Sequence, residues 1–352
     1  MKEKNAKLAD VARVAEVSQG TASNVFNRPD VVREEVRERV LKVAAALGYR
    51  GPDVKGRLLR AGRVNAIGVA TVEPLSYFFD DPWARAIMTA IGDVCDLSGT
   101  GIALVSAKSQ EKLAWNVNSA LVDGFILLCV EGGEKLVELT RERQLPFVAL
   151  ALGEEDVSIP KIGIDNRAGA AIAAHHLGEL GHRQVAVLAI GHDDVPPGQI
   201  SPALLDTAMG GSMRERMRGY WQGMETFGVG PDDIPVFSTL NDQPTVEAAL
   251  SALFAAPVRP TAILAMSDRI AMLALHWLSD RGIAVPGEVS VVGFDGVPEA
   301  ALSQPPLTTI AQPLAEIGRR AVAAILEGAG PVHSDVVAVD LIVRKSTAAP
   351  SR

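Results

Sequence analysis

Little in this chain supports redox, metal or membrane chemistry. Two cysteines, Cys95 and Cys129, occur in 352 residues. Cys95 falls in a predicted helix and Cys129 in a predicted buried strand. Two reduced thiols are therefore expected, rather than a disulfide or a thiolate metal site. No apolar run reaches the roughly 18 residues of a membrane helix. The opening Met-Lys-Glu-Lys-Asn leads into no apolar stretch, so neither a membrane span nor a secretory signal is expected, and a cytoplasmic location is. There is no G-x-x-x-x-G-K phosphate loop, no G-x-S-x-G and no H-E-x-x-H. No cofactor, no metal and no enzymatic activity are expected. His175, His176 and His182 cluster near a predicted helix end and read as surface or capping groups.

What is present is apolar and unevenly charged. Hydrophobic residues make up 48% of the chain and its mean hydropathy is +0.18. At this length, two or three folding units are expected. Residues 1–63 carry 14 Lys/Arg against 8 Asp/Glu, a net of +6. The remaining residues carry 20 against 34, a net of −14. A basic head on an acidic body attracts phosphate at one end only.

The head reads as three short helices. Leu8, Val11, Ala12, Val14 and Ala15 form one amphipathic stripe. Val17 plugs a turn, and Ser18 is placed to cap the next helix. There Ala22, Val25 and Phe26 face inward, which leaves Gln19, Gly20, Thr21, Ser23, Asn24 and Asn27 outward. These short donors and acceptors suit base edges and phosphates in a major groove. Val36, Val40, Val43, Ala44 and Leu47 give a third stripe, stopped by Gly48. A plain three-helix bundle with a solvated polar face would show the same periodicity. The small residues Gly20 and Ala22, which permit close approach, favour a helix-turn-helix reader of DNA. Asp53 to Gly62 then bounds a hinge helix of some eight residues, marginal on its own in water. There Lys55, Arg57 and Arg60 can meet phosphate, and Leu58 or Leu59 can wedge a minor groove. A flexible basic linker is the other reading.

Residues 8–63 resemble the head and hinge of the lactose-repressor (LacI/GalR) family of bacterial transcription regulators. The resemblance is carried by Asp10-Val-Ala, Ala15-Glu-Val-Ser18, Thr21-Ala-Ser-Asn-Val-Phe-Asn27, Arg37-Glu-Arg-Val-Leu, Leu47-Gly-Tyr49 and Leu59-Arg-Ala-Gly-Arg63. It implies base reading by Gln19, Gly20 and Asn24, backbone contacts by Ser18, Thr21, Ser23 and Asn27, and a minor-groove leucine at Leu59. The chain departs from the family at three places. Glu16 stands where Gly is usual, Asn24 where Arg is usual, and Gly51 looks like an extra residue before Pro52.

From Asn65 onward short apolar strands alternate with helices, which predicts parallel sheets covered on both faces. About ten strands are expected: 66–72, 101–106, 124–130, 147–150, 161–164, 184–190, 236–239, 262–266, 289–294 and 336–343. Helices are expected between most of them, as at 83–98, 167–180, 212–227, 244–255, 268–281 and 313–327. That count suits two similar lobes with a ligand cleft at the carboxyl ends of the strands. Four polar pieces sit at strand or helix ends: Ile164-Asp-Asn-Arg167, the Arg214/Arg216/Arg218 series, Met266-Ser-Asp-Arg269 and Gly293-Phe-Asp-Gly296. Carboxylates and guanidinium groups at such ends can hold vicinal hydroxyls, although each alone could be a cap or a surface ion pair.

The body resembles the same family over essentially its whole length. The matching runs are Gly163-Ile-Asp-Asn-Arg-Ala-Gly169, His176-Leu-Gly-Glu-Leu-Gly-His-Arg183, Arg216-Met-Arg-Gly-Tyr220, Ser267-Asp268, Val285-Pro-Gly-Glu-Val-Ser-Val-Val-Gly-Phe-Asp295 and Pro305-Pro-Leu-Thr-Thr-Ile-Ala-Gln312. The implied architecture is α/β. A three-helix helix-turn-helix head (1–50) and hinge (51–63) precede a two-lobed, periplasmic-binding-protein-like body with doubly wound parallel sheets (64–352). The first lobe takes about 64–164 and 313–330, the second about 165–312 and 331–352. Effector positions implied by the family fall on Arg216 and Asp295, with Asp165, Ser267, Asp268 and Gln312. Pro74 to Trp83 and residues 191–212 depart from the common pattern and flank the cleft. Tyr77, Phe78 and Phe79 could stack on a sugar face or fill the core. The expected protein is a transcription regulator, a repressor under a sugar-like effector, acting as a homodimer on palindromic operator DNA. A solute-binding protein shares the two-lobed body, but would have neither the head nor the hinge.

Overall fold

The computed structural model describes residues 6–49, 51, 63–129, 133–151, 158–191, 195–205, 209–328 and 334–351. Met1–Val64 and Asn65–Arg352 form separate compact units. The hinge residues Arg57 and Leu59, with Lys55 and Arg60, lie outside the described residues.

In the first unit, α1 (Leu8–Val14) and α2 (Gln19–Asn27) are joined by a tight turn, and α3 (Glu34–Ala46) closes the bundle. The turn forms because Glu16 takes a left-handed backbone (φ 53), at a cost of about 1–2 kcal/mol for a residue with a Cβ. Ser18 then starts α2, its Oγ accepting from the Thr21 N–H at 3.0 Å. Val11, Ala22 and Val40 are fully buried, with Ala12, Ala15, Val25 and Ala44 beside them. Phe26 and Tyr49 meet edge to face at 5.5 Å. Each fully buried valine contributes roughly 1.5–3 kcal/mol, so this small core rests on few side chains.

The second unit carries two sheets. In chain order its first half is β1 (Ala66–Thr71), α4 (Tyr77–Asp80), α5 (Pro82–Ser98), β2 (Gly101–Ser106), α6 (Gln110–Ser119), β3 (Gly124–Leu128), α7 (Glu134–Glu142), β4 (Phe147–Leu150) and β5 (Lys161–Ile164). Next come α8 (Asn166–Glu179), β6 (Val185–Ile190), β7 (Gly198–Ile200), α9 (Gly211–Glu225), β8 (Val236–Thr239), α10 (Gln243–Ala255), β9 (Ala262–Ala265) and α11 (Asp268–Asp280). Last are β10 (Ser290–Asp295), α12 (Pro298–Leu302), β11 (Thr308–Ala311), α13 (Leu314–Leu326), β12 (Ser334–Val337) and β13 (Asp340–Ile342).

The first sheet runs β12-β5-β4-β3-β1-β2 and is parallel throughout. The second runs β13-β11-β10-β9-β6-β8-β7, parallel except for the two edge strands β13 and β7. Central strands are buried along their whole length, as at Gly124–Leu128 and Ser290–Asp295. This is why they read as continuous apolar runs rather than alternating ones.

Three differences from the sequence reading have physical causes. β7 arises within 191–212, where a three-residue edge strand directly after Pro196-Pro197 is too short to show a period. β11 is only four residues long and follows two prolines, so it carries little periodicity. The expected strand 336–343 is two strands: β12 beside β5 in the first sheet, β13 beside β11 in the second. The chain therefore crosses between lobes after β5, after β11 and between β12 and β13. The last crossing falls at 338–339 rather than after 330, because Ser334–Val337 completes an edge of the first sheet. No helix among the described residues is long and apolar enough to cross a membrane.

Candidate functional site

The head presents one polar face. Ser18, Gln19, Gly20, Asn24 and Asn27 are exposed, and Thr21 and Ser23 half-buried. Some of these groups order one another. The Ser18 and Thr21 hydroxyls lie 2.9 Å apart, and Asn27 Nδ2 donates to Ser23 Oγ at 3.0 Å. Gln19 and Asn24 project into solvent from one exposed side of α2.

In the body, a cavity of about 720 Å³ opens between the two lobes at the carboxyl ends of the strands. Its charged centre is Arg216, one and a half turns into α9. The helix carrying it packs closely on α8, because Gly219 and Gly223 leave no side chain between them. A Cβ at Gly219 would stand 2.2 Å from the Arg167 carbonyl, and one at Gly223 2.5 Å from that of Ala171. Arg216 Nε donates to Asn166 Oδ1 at 2.9 Å, and its Nη1 to the Met266 carbonyl at 2.5 Å. The guanidinium lies over the Phe294 ring, 3.7 Å from its centroid, and 3.6 Å from Asp295 Oδ1.

Asp295 ends β10 with φ 127, a conformation that costs about 1–3 kcal/mol outside glycine. It accepts from Gln312 Nε2 at 2.8 Å. Burial pushes its carboxyl well above the ordinary range, while Arg216 pulls the other way. An acceptor and a forked donor thus sit side by side out of water, an arrangement suited to a ligand bearing adjacent hydroxyls.

Arg216, Asp295, Ser267, Gln312 and Tyr77 all line this cavity. Ser267 caps α11 through the Ile270 N–H at 3.1 Å and donates to Asn241 Oδ1 at 2.8 Å. Tyr77 Oη lies 3.3 Å from Cys129 Sγ, and burial raises its hydroxyl pKa well above the usual value. Three other sequence candidates sit elsewhere. Asp165 is exposed and caps α8, accepting from the Ala168 N–H at 2.8 Å; its neighbour Asn166 faces the cavity instead. Phe79 is 63% exposed and outside the lining. Asp268 is wholly buried behind the wall. Its carboxylate accepts from Thr309 Oγ1 at 2.5 Å and from the Val297 N–H at 2.9 Å, and burial raises its pKa to about 6. It therefore holds the turn that follows Asp295 rather than facing the cavity.

Sequence reasoning missed several lining groups: Asp81, Trp83, Asn166, Asn241, Asp242 and Arg269. Asn166 and Arg269 fall inside the polar pieces singled out at strand ends, where the pattern marked the piece but not which side chain lines the cavity. Asn241, left-handed at φ 56 after β8, had no motif to mark it. No group of three or more metal-ligating side chains occurs among the described residues.

A basic three-helix head and a two-lobed receptor body together define a regulator that joins DNA reading to small-molecule sensing. Residues 7–51 match the family model described as bacterial regulatory proteins, lacI family, and residues 174–347 match a periplasmic binding protein-like domain. Among curated proteins, the chain is 37% identical over 362 residues to the HTH-type transcriptional regulator Rv3575c of Mycobacterium tuberculosis, covering 99% of this chain and 98% of that one. It is 32% identical to the HTH-type transcriptional regulator IpsA of Corynebacterium glutamicum, covering 89% and 88%. Among solved structures it superposes on the lac repressor dimer bound to operator and an anti-inducer, with TM-score 0.74, 25% identity and coverage of 98% and 100%. The transcriptional regulator CelR in complex with cellobiose gives TM-score 0.67, 27% identity and coverage of 97% and 99%. The chain belongs to the lacI family of bacterial regulatory proteins. It is a DNA-binding transcriptional regulator with an effector-binding body, not an enzyme.

Proposed function

We propose that this regulator is a cytoplasmic repressor that binds palindromic operator DNA as a homodimer and is controlled by a sugar or related polyhydroxylated effector in the cleft. The carrying observation is the buried Arg216–Asp295 pair, which offers a forked donor and an acceptor within 3.6 Å of each other. A neutral ligand with vicinal hydroxyls satisfies both without bringing in a net charge. The solved relatives with operator and with cellobiose favour the same assignment.

On the head, Gly20 supports DNA contact by Ser18, Gln19, Thr21, Ser23, Asn24 and Asn27. A Cβ at Gly20 would meet only Ser18 Oγ at 3.6 Å, so the fold itself has room for alanine. Glycine costs such a helix roughly 1 kcal/mol relative to alanine. A partner surface pressed against α2 explains why that cost is borne. Effector binding alters lobe closure, and closure alters how two heads of a dimer meet their half-sites.

Calorimetry against sugars, sugar acids, cyclic polyols and nucleosides tests the cleft. Arg216→Ala and Asp295→Ala should each weaken the ligand so found by roughly 2–5 kcal/mol, as expected when one partner of a buried charged contact is truncated. Near-native affinity in both would remove the pair from the effector site.

A further inference from the structure

The segment that departs from the family pattern after the first strand ends in Asp80, Asp81 and Trp83; these three, with Arg85 just beyond on α5, bridge the lobes. Asp81 is buried and faces two ways. Its Oδ1 caps α5 in the first lobe, accepting from the Trp83 and Ala84 N–H groups at 3.0 and 3.1 Å. Its Oδ2 accepts from Asn241 Nδ2 of the second lobe at 3.1 Å and lies 3.7 Å from Arg269 Nη1. The Asp80 carbonyl accepts from the same Arg269 at 3.3 Å. Trp83 packs its ring on the core of the second lobe and donates Nε1 to Gln312 Oε1 at 3.3 Å. Arg85 is ion-paired with Glu299 of α12.

We propose that Asp80–Arg85 is a latch for the closed cleft, and that Gln312 couples it to the effector. The proposal rests on the cleft being the effector site. Asn241, Arg269, Gln312 and Glu299 all belong to the second lobe, whereas Asp81 and the α5 backbone move with the first. Swinging the lobes apart breaks all of these contacts together, and a set of contacts broken together gives a two-state hinge rather than a gradual one. The coupling runs through one side chain. Gln312 gives its amide N–H to Asp295 and its carbonyl to Trp83. A ligand hydroxyl that donates to Asp295 competes with Gln312, and so reaches Trp83 of the other lobe without touching it. Asp81 repeats the arrangement through Asn241 and Ser267.

The test uses the full chain with no small molecule. Nitroxides are placed on exposed positions of the two lobes by Lys112→Cys and Ala248→Cys, in a Cys129→Ser background. Labelled subunits are diluted into unlabelled chain, so that electron–electron distances report within one protomer. The double variant Asn241→Gly/Glu299→Ala removes two bridges from the second-lobe side. It leaves the Asp81 cap intact and keeps a residue that tolerates the left-handed backbone at 241. A longer and broader lobe-to-lobe distance than in the parent is expected; a profile that superposes on the parent overturns the latch. Should the double variant not fold, Glu299→Gln alone carries the same test, with a smaller shift in the same direction and the same overturning result. An unchanged distance sinks the latch and leaves the reading of the cleft as effector site standing. Failure of the cleft reading shows instead as undiminished affinity in Arg216→Ala.

Discussion

The head and the body solve opposite problems with the same kinds of side chain. The head keeps its polar groups on the outside of one helix, on a unit whose sequence carries +6. The body, at −14, buries its polar groups at the ends of several strands and helices and sets them against one another. A surface that reads a polyanion needs only a rigid helix and exposed donors. A cleft that selects a small molecule needs desolvated groups already held in place, so that an ill-matched ligand leaves them unpaired. The contrast predicts where each unit is fragile. Head mutations should change binding with little effect on the fold, and cleft mutations should change both.

The widest separation comes from removing residues 1–63. The body forms its own compact unit from Asn65, so it should stay folded and keep effector affinity while operator binding is lost. Fluorescence polarisation on a selected operator duplex measures this; a truncated chain that binds as tightly as the intact one breaks the comparison. In the intact chain, affinity should fall steeply with salt, by roughly 10³-fold or more between 50 and 200 mM if six or more phosphates are neutralised.

A smaller effect, with opposite signs in the two readouts, tests the outward face of α2. Gly20→Ala should raise the thermal stability of the head by up to about 1 kcal/mol, since alanine is the better helix former and has room there. It should also weaken operator binding, because the added methyl stands on the contacting surface. Denaturant melts of the isolated head and operator titrations of the full chain give the two values. Gains in both would move the DNA face away from Gly20.

The two regions also differ in how far the sequence disclosed them. In the head the candidate groups lie on one helix and its cap, so a 3.6-residue stripe that sorts Ala22 and Val25 inward sorts Gln19 and Asn24 outward at once. In the cleft, local pattern marks the strand end but not which neighbour turns into the cavity. At Asp165-Asn166 the first residue is spent capping the helix and the second lines the cavity. At Ser267-Asp268 the reverse holds: Ser267 lines the wall and Asp268 is buried behind it. The aromatic run at 77–79 lies on the short helix α4, whose successive residues point about 100° apart. Three adjacent rings cannot share one face, and Phe78 goes into the core while Phe79 goes to solvent. Asp81 and Asn241 were illegible for another reason: they meet across 160 residues of sequence, and only the apposition of the two lobes brings them together.

The finest test separates two buried titrating groups of the body that pull stability in opposite directions. His182 is 1% exposed and anchors the C-terminal segment, its Nε2 donating to the Ala348 carbonyl at 2.8 Å and its Nδ1 accepting from Thr261 Oγ1 at 2.9 Å. Burial lowers its pKa below 6.5. The folded body thus binds fewer protons there than the unfolded chain, and the stability His182 contributes is lost as pH falls below 6.5. Asp268 is the converse. Its pKa is raised from 3.8 to about 6, so the folded state binds the extra proton. Stability from this group is full below 3.8 and is lost as pH rises to about 6. Between those values the two effects oppose each other and flatten the profile. Asn at 268 can still accept from the Val297 N–H and can donate to Thr309, whose hydroxyl has the Ile310 carbonyl as an alternative acceptor at 3.3 Å. Asp268→Asn should therefore fold, remove the acid's contribution and steepen the rise of stability with pH between 4 and 6. Melting temperatures of the parent and variant across that range read the difference; parallel profiles would show that the buried carboxyl keeps an ordinary pKa.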